Sequence, residues 1–139
     1  MTRSELIQDV KDKLEEISTA NGYSFDIGSY VYDWLASPLP VDVSTAIIIH
    51  DFSETVTGNN STNHELKLQI VLVTRSSTDS MDDVRTKMQD VMNALAELRS
   101  QTLVWTYDGS EIEVEFVKHK IAFAYIDFTV EYVTDPWVI

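Results

Sequence analysis

The chain predicts an α/β (α+β) fold: a mixed, mainly antiparallel sheet with two helices packed on one face. Three features carry that expectation. Residues 64–98 read as a strand, a polar hinge and a capped amphipathic helix. The first twenty residues read as a second capped helix. Residues 121–134 alternate apolar and polar positions, the period of a half-buried strand.

Taken in order, Thr2 and Glu5 have capping-box spacing, and Leu6, Ile7, Val10, Leu14 and Ile17 line one face after them. Asn21-Gly22 supplies a stop, because glycine accepts the left-handed terminus, so the first helix is expected over 3–20. Residues 23–45 are rich in aromatics, with a short strand expected over 29–35 before Pro38 and Pro40 interrupt regular structure. The β-branched run AIIIHDFS predicts a strand over 46–53, and the small polar residues 55–63 a loop or hairpin tip. Leu66, Leu68, Ile70 and Leu72 share one face of the strand over 64–75. Ser80 can cap a second helix, with Asp82 and Asp83 in its favourable first turn and Val84, Met88, Val91, Leu95 and Leu98 along its apolar stripe. Asp108-Gly109 between two alternating runs predicts a hairpin turn, and a last strand follows with Ala124, Ile126, Phe128, Val130 and Tyr132 on one face. The order is α, one or two strands, a strand, α, three strands, in a single domain spanning 1–139.

Two helices cover one sheet face only. If the alternation holds, Val71, Val73, Ile47, Ile49, Phe123 and Tyr125 point to the other. That apolar second face needs cover, either from residues 23–45 or from another subunit.

Composition narrows the chemistry. Ten Lys+Arg stand against 23 Asp+Glu, a formal net charge of −13, which opposes tight binding to nucleic acid and to anionic membranes. No apolar run approaches the ~20 residues that span a bilayer, and the N-terminus lacks a signal-peptide core. The absence of cysteine removes disulfides, thiolate catalysis and thiolate zinc sites, and fits a cytosolic setting. His50, His64 and His119 are too scattered for a helical zinc pair and are expected to be ordinary surface or core histidines. Residues 79–83, DSMDD, lack the glycine and terminal glutamate of a calcium loop. No phosphate-binding glycine pattern and no nucleophile elbow occurs. No cofactor and no metal is expected, and nothing points to an enzyme. Glu111, Glu113 and Glu115 form an acidic ladder whose plain reading is a solvated strand face. Met81, Met88 and Met92 fit core packing better than an adaptable groove, and Trp34, Trp105 and Trp137 fit either a core or an interface.

The order of elements, with the segments LPVDVSTAIIIHDF, HELKLQIVLVTR, MDDVRTKMQDVMNAL and FAYIDFTVEYVTDPW, resembles the tail terminator (tail completion, minor tail) proteins of long-tailed bacteriophages. The resemblance spans most of the chain and rests on order, length and texture. It implies a virion subunit, assembled in the host cytoplasm, that forms a homo-oligomeric ring, usually a hexamer, on the last ring of the tail tube. Such a ring stops tube growth and receives the head–tail connector or neck proteins, and DNA passes through it without specific binding. Its subunit contacts are heterologous; the residues expected there are Val71, Val73, Trp105 and Trp137. Asn59 and Asn60 are expected to contact tube or neck, and Glu111, Glu113 and Glu115 to face the channel. A head-closure or neck connector protein is the nearest alternative. A small enzyme or ligand-binding domain is the alternative from another class, and an apolar pocket with convergent polar groups would mark it.

Overall fold

The computed structural model describes residues 1–60, 62–75, 78–116 and 120–139. His119 lies outside the described residues, so its expected role is not addressed. Two helices and a five-stranded, mostly antiparallel mixed sheet form an α+β fold: α1 (Arg3–Glu15), β1 (Val31–Asp33), β2 (Thr45–Thr57), β3 (Asn63–Arg75), α2 (Met81–Ala96), β4 (Val104–Phe116) and β5 (Lys120–Val133). The strand order is β1-β2-β3-β5-β4, with β1 parallel to β2 and every other pair antiparallel.

Both helices begin as their sequences predict. The Thr2 hydroxyl accepts from the Glu5 amide at 3.1 Å, and the Glu5 carboxylate accepts from the Thr2 amide at 2.9 Å. Ser80 and Asp83 make the same reciprocal pair at α2. The first helix stops short of its expected end. After Glu15 the chain leaves the helix so that Ile17 can enter the core, and a single 3₁₀ turn, Thr19–Asn21, ends at Gly22 with φ 91°. What holds this exit is Gly28, whose amide donates to the Ile17 carbonyl at 2.9 Å. A Cβ on Gly28 would lie 2.7–2.8 Å from the carbonyl oxygens of Leu14, Glu15 and Ile17, so only glycine lets the loop stack on the helix end.

Alternation sorts the sheet. Leu66, Leu68, Ile70 and Leu72 of β3 and Ala124, Ile126, Phe128, Val130 and Tyr132 of β5 face the helices, where Leu6, Val10 and Leu14 of α1 and Val84, Val91 and Leu95 of α2 bury them. Register corrects the expectation for β2. Ile47 and Ile49 pair with Leu72 and Ile70 and so face the helices; Ile48, opposite Val71, is the β2 residue on the other face.

The end of the chain differs more. Asp108-Gly109 is a bulge, not a turn: β4 is one strand whose two halves both pair with β5, and its register slips by one residue between Tyr107 and Gly109. Two strands therefore follow α2 instead of three. An Asp-Gly pair gives φ > 0 to a bulge as readily as to a hairpin, and the long β5 alternation offers a partner for both halves; Gly109 sits at φ 139°.

The α2 stripe also carries two charges that periodicity did not flag. Lys87 and Asp90 are buried. Asp90 accepts from the Ser24 and Phe25 amides at 3.3 and 3.2 Å, while Lys87 pairs with Asp79 and lies 5.1 Å over the Phe25 ring. These contacts pin the loop after α1 against α2. Gly28→Ala should lower stability by about 1–3 kcal/mol, the range for overpacking a close contact; urea unfolding that matches the parent chain would contradict this account of the helix end.

Candidate functional site

The face of the sheet opposite the helices has two halves. Over β1, β2 and β3 it is apolar and covered by its own chain: Tyr32, Leu35 and Leu39 pack on Ile48, Val71 and Val73. Arg75 clamps this cover, its guanidinium donating to the Pro40 and Leu39 carbonyls at 3.0 and 3.3 Å. Of the two sources of cover left open by the sequence, the chain's own segment is the one present. Val71 and Val73 keep 4% and 3% of their surface, which leaves a neighbouring subunit almost nothing to touch.

Over β4 the same face is acidic, while Ile121, Phe123 and Tyr125 of β5 beside it are half-buried against the apolar patch. Glu111, Glu113 and Glu115 pair in register with Tyr125, Phe123 and Ile121, which puts all three carboxylates on the helix-free side and exposed. Tyr125 donates to Glu113 at 3.3 Å. Its phenol is pushed above its ordinary range by burial first, then by the negative field of Glu113, Glu115 and Glu111. The ladder also occupies the free edge of the sheet, where charge and a bulge discourage unwanted strand pairing.

On the helix side, β4 stands partly clear of α2. Trp105 is half-buried with its ring edge-on to Phe128, the centroids 5.4 Å apart, and its indole N–H has no acceptor among the described residues. Between α2 and β4 runs a groove with two hollows, of about 100 and 370 Å³, floored by Met92, Trp105, Tyr107 and Ile112. Met88 and Met92 are thus wall as well as core.

The opposite flank carries the C-terminal residues. Thr134 ties them to the body, its amide donating to the Thr62 carbonyl at 3.0 Å and its hydroxyl lying 2.6 Å from His64 Nε2. Beyond it Trp137 takes φ 64° and is 85% exposed, while Ile139 lies beside Arg3, Ile7, Asp33 and Asp51. Asn59 and Asn60 are exposed at the turn joining β2 to β3, Asn60 at φ 62°. Trp105 and Trp137 therefore sit on different flanks, and the ladder on a third surface; the structure does not gather the expected residues into one site.

Two of the histidines are accounted for. His50 stacks on Trp34 at 4.3 Å, and the Trp34 indole donates to Asp51, which Arg3 also engages at 2.7 Å. His64 is buried and stacked on Tyr132; its Nδ1 is 3.1 Å from Glu54 Oε1 but poorly aligned for a hydrogen bond. Among the described residues no group of His, Asp and Glu is placed to hold a metal ion. A cleft of about 930 Å³ lies between the loop after α2 and the ends of β3 and β5, and its ionisable lining is mostly carboxylate: Asp9, Glu65, Glu97 and Glu131 with Arg99 and the buried His64. No helix is long and apolar enough to cross a membrane among the described residues.

No protein-family model matches the chain, and no curated protein matches it in sequence. Twenty-one chains of solved structures match it. One belongs to the virion of a native gene transfer agent particle: TM-score 0.59, 15% identity, covering 90% of this chain and 92% of that one. At that identity the likeness is one of fold, and it extends over nearly the whole length of both chains.

Tyr132 supplies a pH test of the helix-side polar cluster. Burial, then its hydrogen bond to Glu54, hold the phenol far above its ordinary value. The fold therefore favours the protonated form. That stabilisation is complete below about pH 10, where the unfolded phenol is also neutral, and falls as pH rises from there toward the folded value. Melting temperature should drop above that pH, and Tyr132→Phe should flatten the drop; an equally steep loss in the variant would contradict the assignment.

Proposed function

We propose that this chain is a non-catalytic virion protein that forms a ring, a hexamer in the simplest case, at the end of a phage-like tail tube. There it stops tube polymerisation and presents the surface that the head–tail connector joins. The observation that supports this reading most is the near full-length fold likeness to a chain of a gene transfer agent virion. The element order and segments that resemble tail terminators point the same way. Virion subunits of this kind work by shape, and the residues here are spent on packing, capping and covering a sheet.

In this reading the uncovered acidic half of the helix-free face lines the channel. Six copies, each carrying a formal −13, surround the passing genome with like charge, so duplex DNA slides without adhering. The hairpin tip at Asn59 and Asn60 meets the tube or the connector. Trp105 and Trp137 remain the proposed subunit contacts; Val71 and Val73 do not, because the chain covers them itself.

Three outcomes follow. Tails assembled without this chain should be overgrown and variable in length, by electron microscopy, and tails assembled with it uniform; equal length distributions would remove the terminating role. Replacing Glu111, Glu113 and Glu115 with lysine should leave rings intact and slow DNA passage; passage at the parent rate would remove the channel assignment. Trp137→Ala should impair ring assembly while shifting stability by no more than about 0.5 kcal/mol, as for an exposed side chain; equal loss of both would make Trp137 a core residue.

A further inference from the structure

The groove between α2 and β4 differs from the rest of this surface in charge. In a chain with 23 Asp+Glu, neither hollow has a carboxylate in its lining. Each has an arginine instead, Arg99 at one and Arg85 at the other. They stand fourteen positions apart along α2 and its C-terminal turn, roughly 21 Å along a helical path. Both are exposed; Arg85 donates to Asp82 at 2.7 Å in an exposed ion pair, and Arg99 donates to the Ala96 carbonyl at 3.2 Å. Between them the floor is aromatic and thioether, the surface that accepts a large ring with little cost of rearrangement. The groove thus fits a short segment that combines a bulky apolar side chain with a carboxylate.

The chain itself presents such a segment. Residues 135–139, DPWVI, place Asp135 two positions before Trp137, whose ring is 85% exposed, and Ile139 is 69% exposed. This segment cannot serve the groove of its own chain as folded. Ile139 lies beside Asp33 of β1 and Asp51 of β2, at one end of the sheet order, whereas the groove borders β4 at the other. A donor on one flank and an acceptor on the opposite flank make a head-to-tail contact, the kind that closes a ring.

We propose that the α2–β4 groove receives residues 135–139 of the next copy, Trp137 seated over Met92, Trp105 and Tyr107 and Asp135 directed to an arginine. This assignment rests on the ring reading and names its subunit contact.

The chain's lack of cysteine makes the test direct. Gln89→Cys sits at the exposed rim of the groove and Ile139→Cys at the exposed end of the segment. Rings assembled on tail tubes from a mixture of the two variants should give covalent dimers under mild oxidation, and neither variant alone should. Intact rings without the cross-link would overturn this contact and leave the ring reading standing; no ring from the parent chain would overturn both. In parallel, a labelled peptide of residues 131–139 should bind the full chain saturably. Arg85→Glu with Arg99→Glu, whose fold is checked by circular dichroism, should weaken it at least tenfold. Trp137→Ala in the peptide should do the same. No saturable binding, or binding indifferent to both changes, would overturn the assignment.

Discussion

Everything in this fold is placed by the burial of β3, on its helix side along its length and on both sides at Val71–Val73. Its even positions from Leu66 to Leu72 lie under the helices, and its odd positions Val71 and Val73 lie under Leu35 and Leu39. That fixes its register, since a slip of a single residue would turn Glu65, Lys67 and Gln69 under the helices and Leu66, Leu68 and Ile70 away from them. β2 and β5 pair with it along almost its whole length, α1 and α2 close one side, and the proline-bearing segment held by Arg75 closes the other at the β2 end. What this arrangement leaves uncovered is β4 and the β5 surface beside it. The acidic ladder and the apolar groove are both found there, on opposite faces of one strand.

In the proposed ring, that division lets a strongly acidic chain associate with itself. Repulsion between copies is set by where the carboxylates stand, because charge–charge interactions are screened beyond about 10 Å at ordinary ionic strength. Glu111, Glu113 and Glu115 project from the helix-free side of β4, and the groove on the helix side has no carboxylate in its lining. A neighbour approaching the helix side meets arginine, methionine and tryptophan, while the ladder stays clear of the contact. The bulge at Asp108 serves the same separation, because it restores the phase of β4 so that Trp105 and Tyr107 before it share a face with Ile112 after it.

Much of this was legible in the residues, for reasons that are local. Capping boxes and period-3.6 stripes depend on side chains three or four positions apart, so both helix starts and the helix-facing residues of β3 and β5 could be read directly. Long-range pairing could not. Asp108-Gly109 reads as a turn until β5 is seen to pair with both sides of it. The face of Ile47 and Ile49 does not follow from the sequence, because a run of four apolar residues, 46–49, has no polar position to set its phase. The early end of α1 depends on Gly28, eleven residues beyond Ile17, and the buried Lys87 and Asp90 depend on a loop sixty-odd residues away. The acidic ladder was visible as spacing, but its face was fixed only by register with β5. The groove left a weaker trace: Met88 and Met92 at helical spacing, which core packing explains equally well.

In the proposed ring, copies of this chain encircle a channel with the acidic β4 face inward. Electron cryo-microscopy of tail tubes capped with the purified chain tests it most directly. The account predicts a single ring on the tube end, with β4 and β5 nearest the axis and both helices outside. A tube end bearing no added density, or a ring whose helices line the channel, would contradict it.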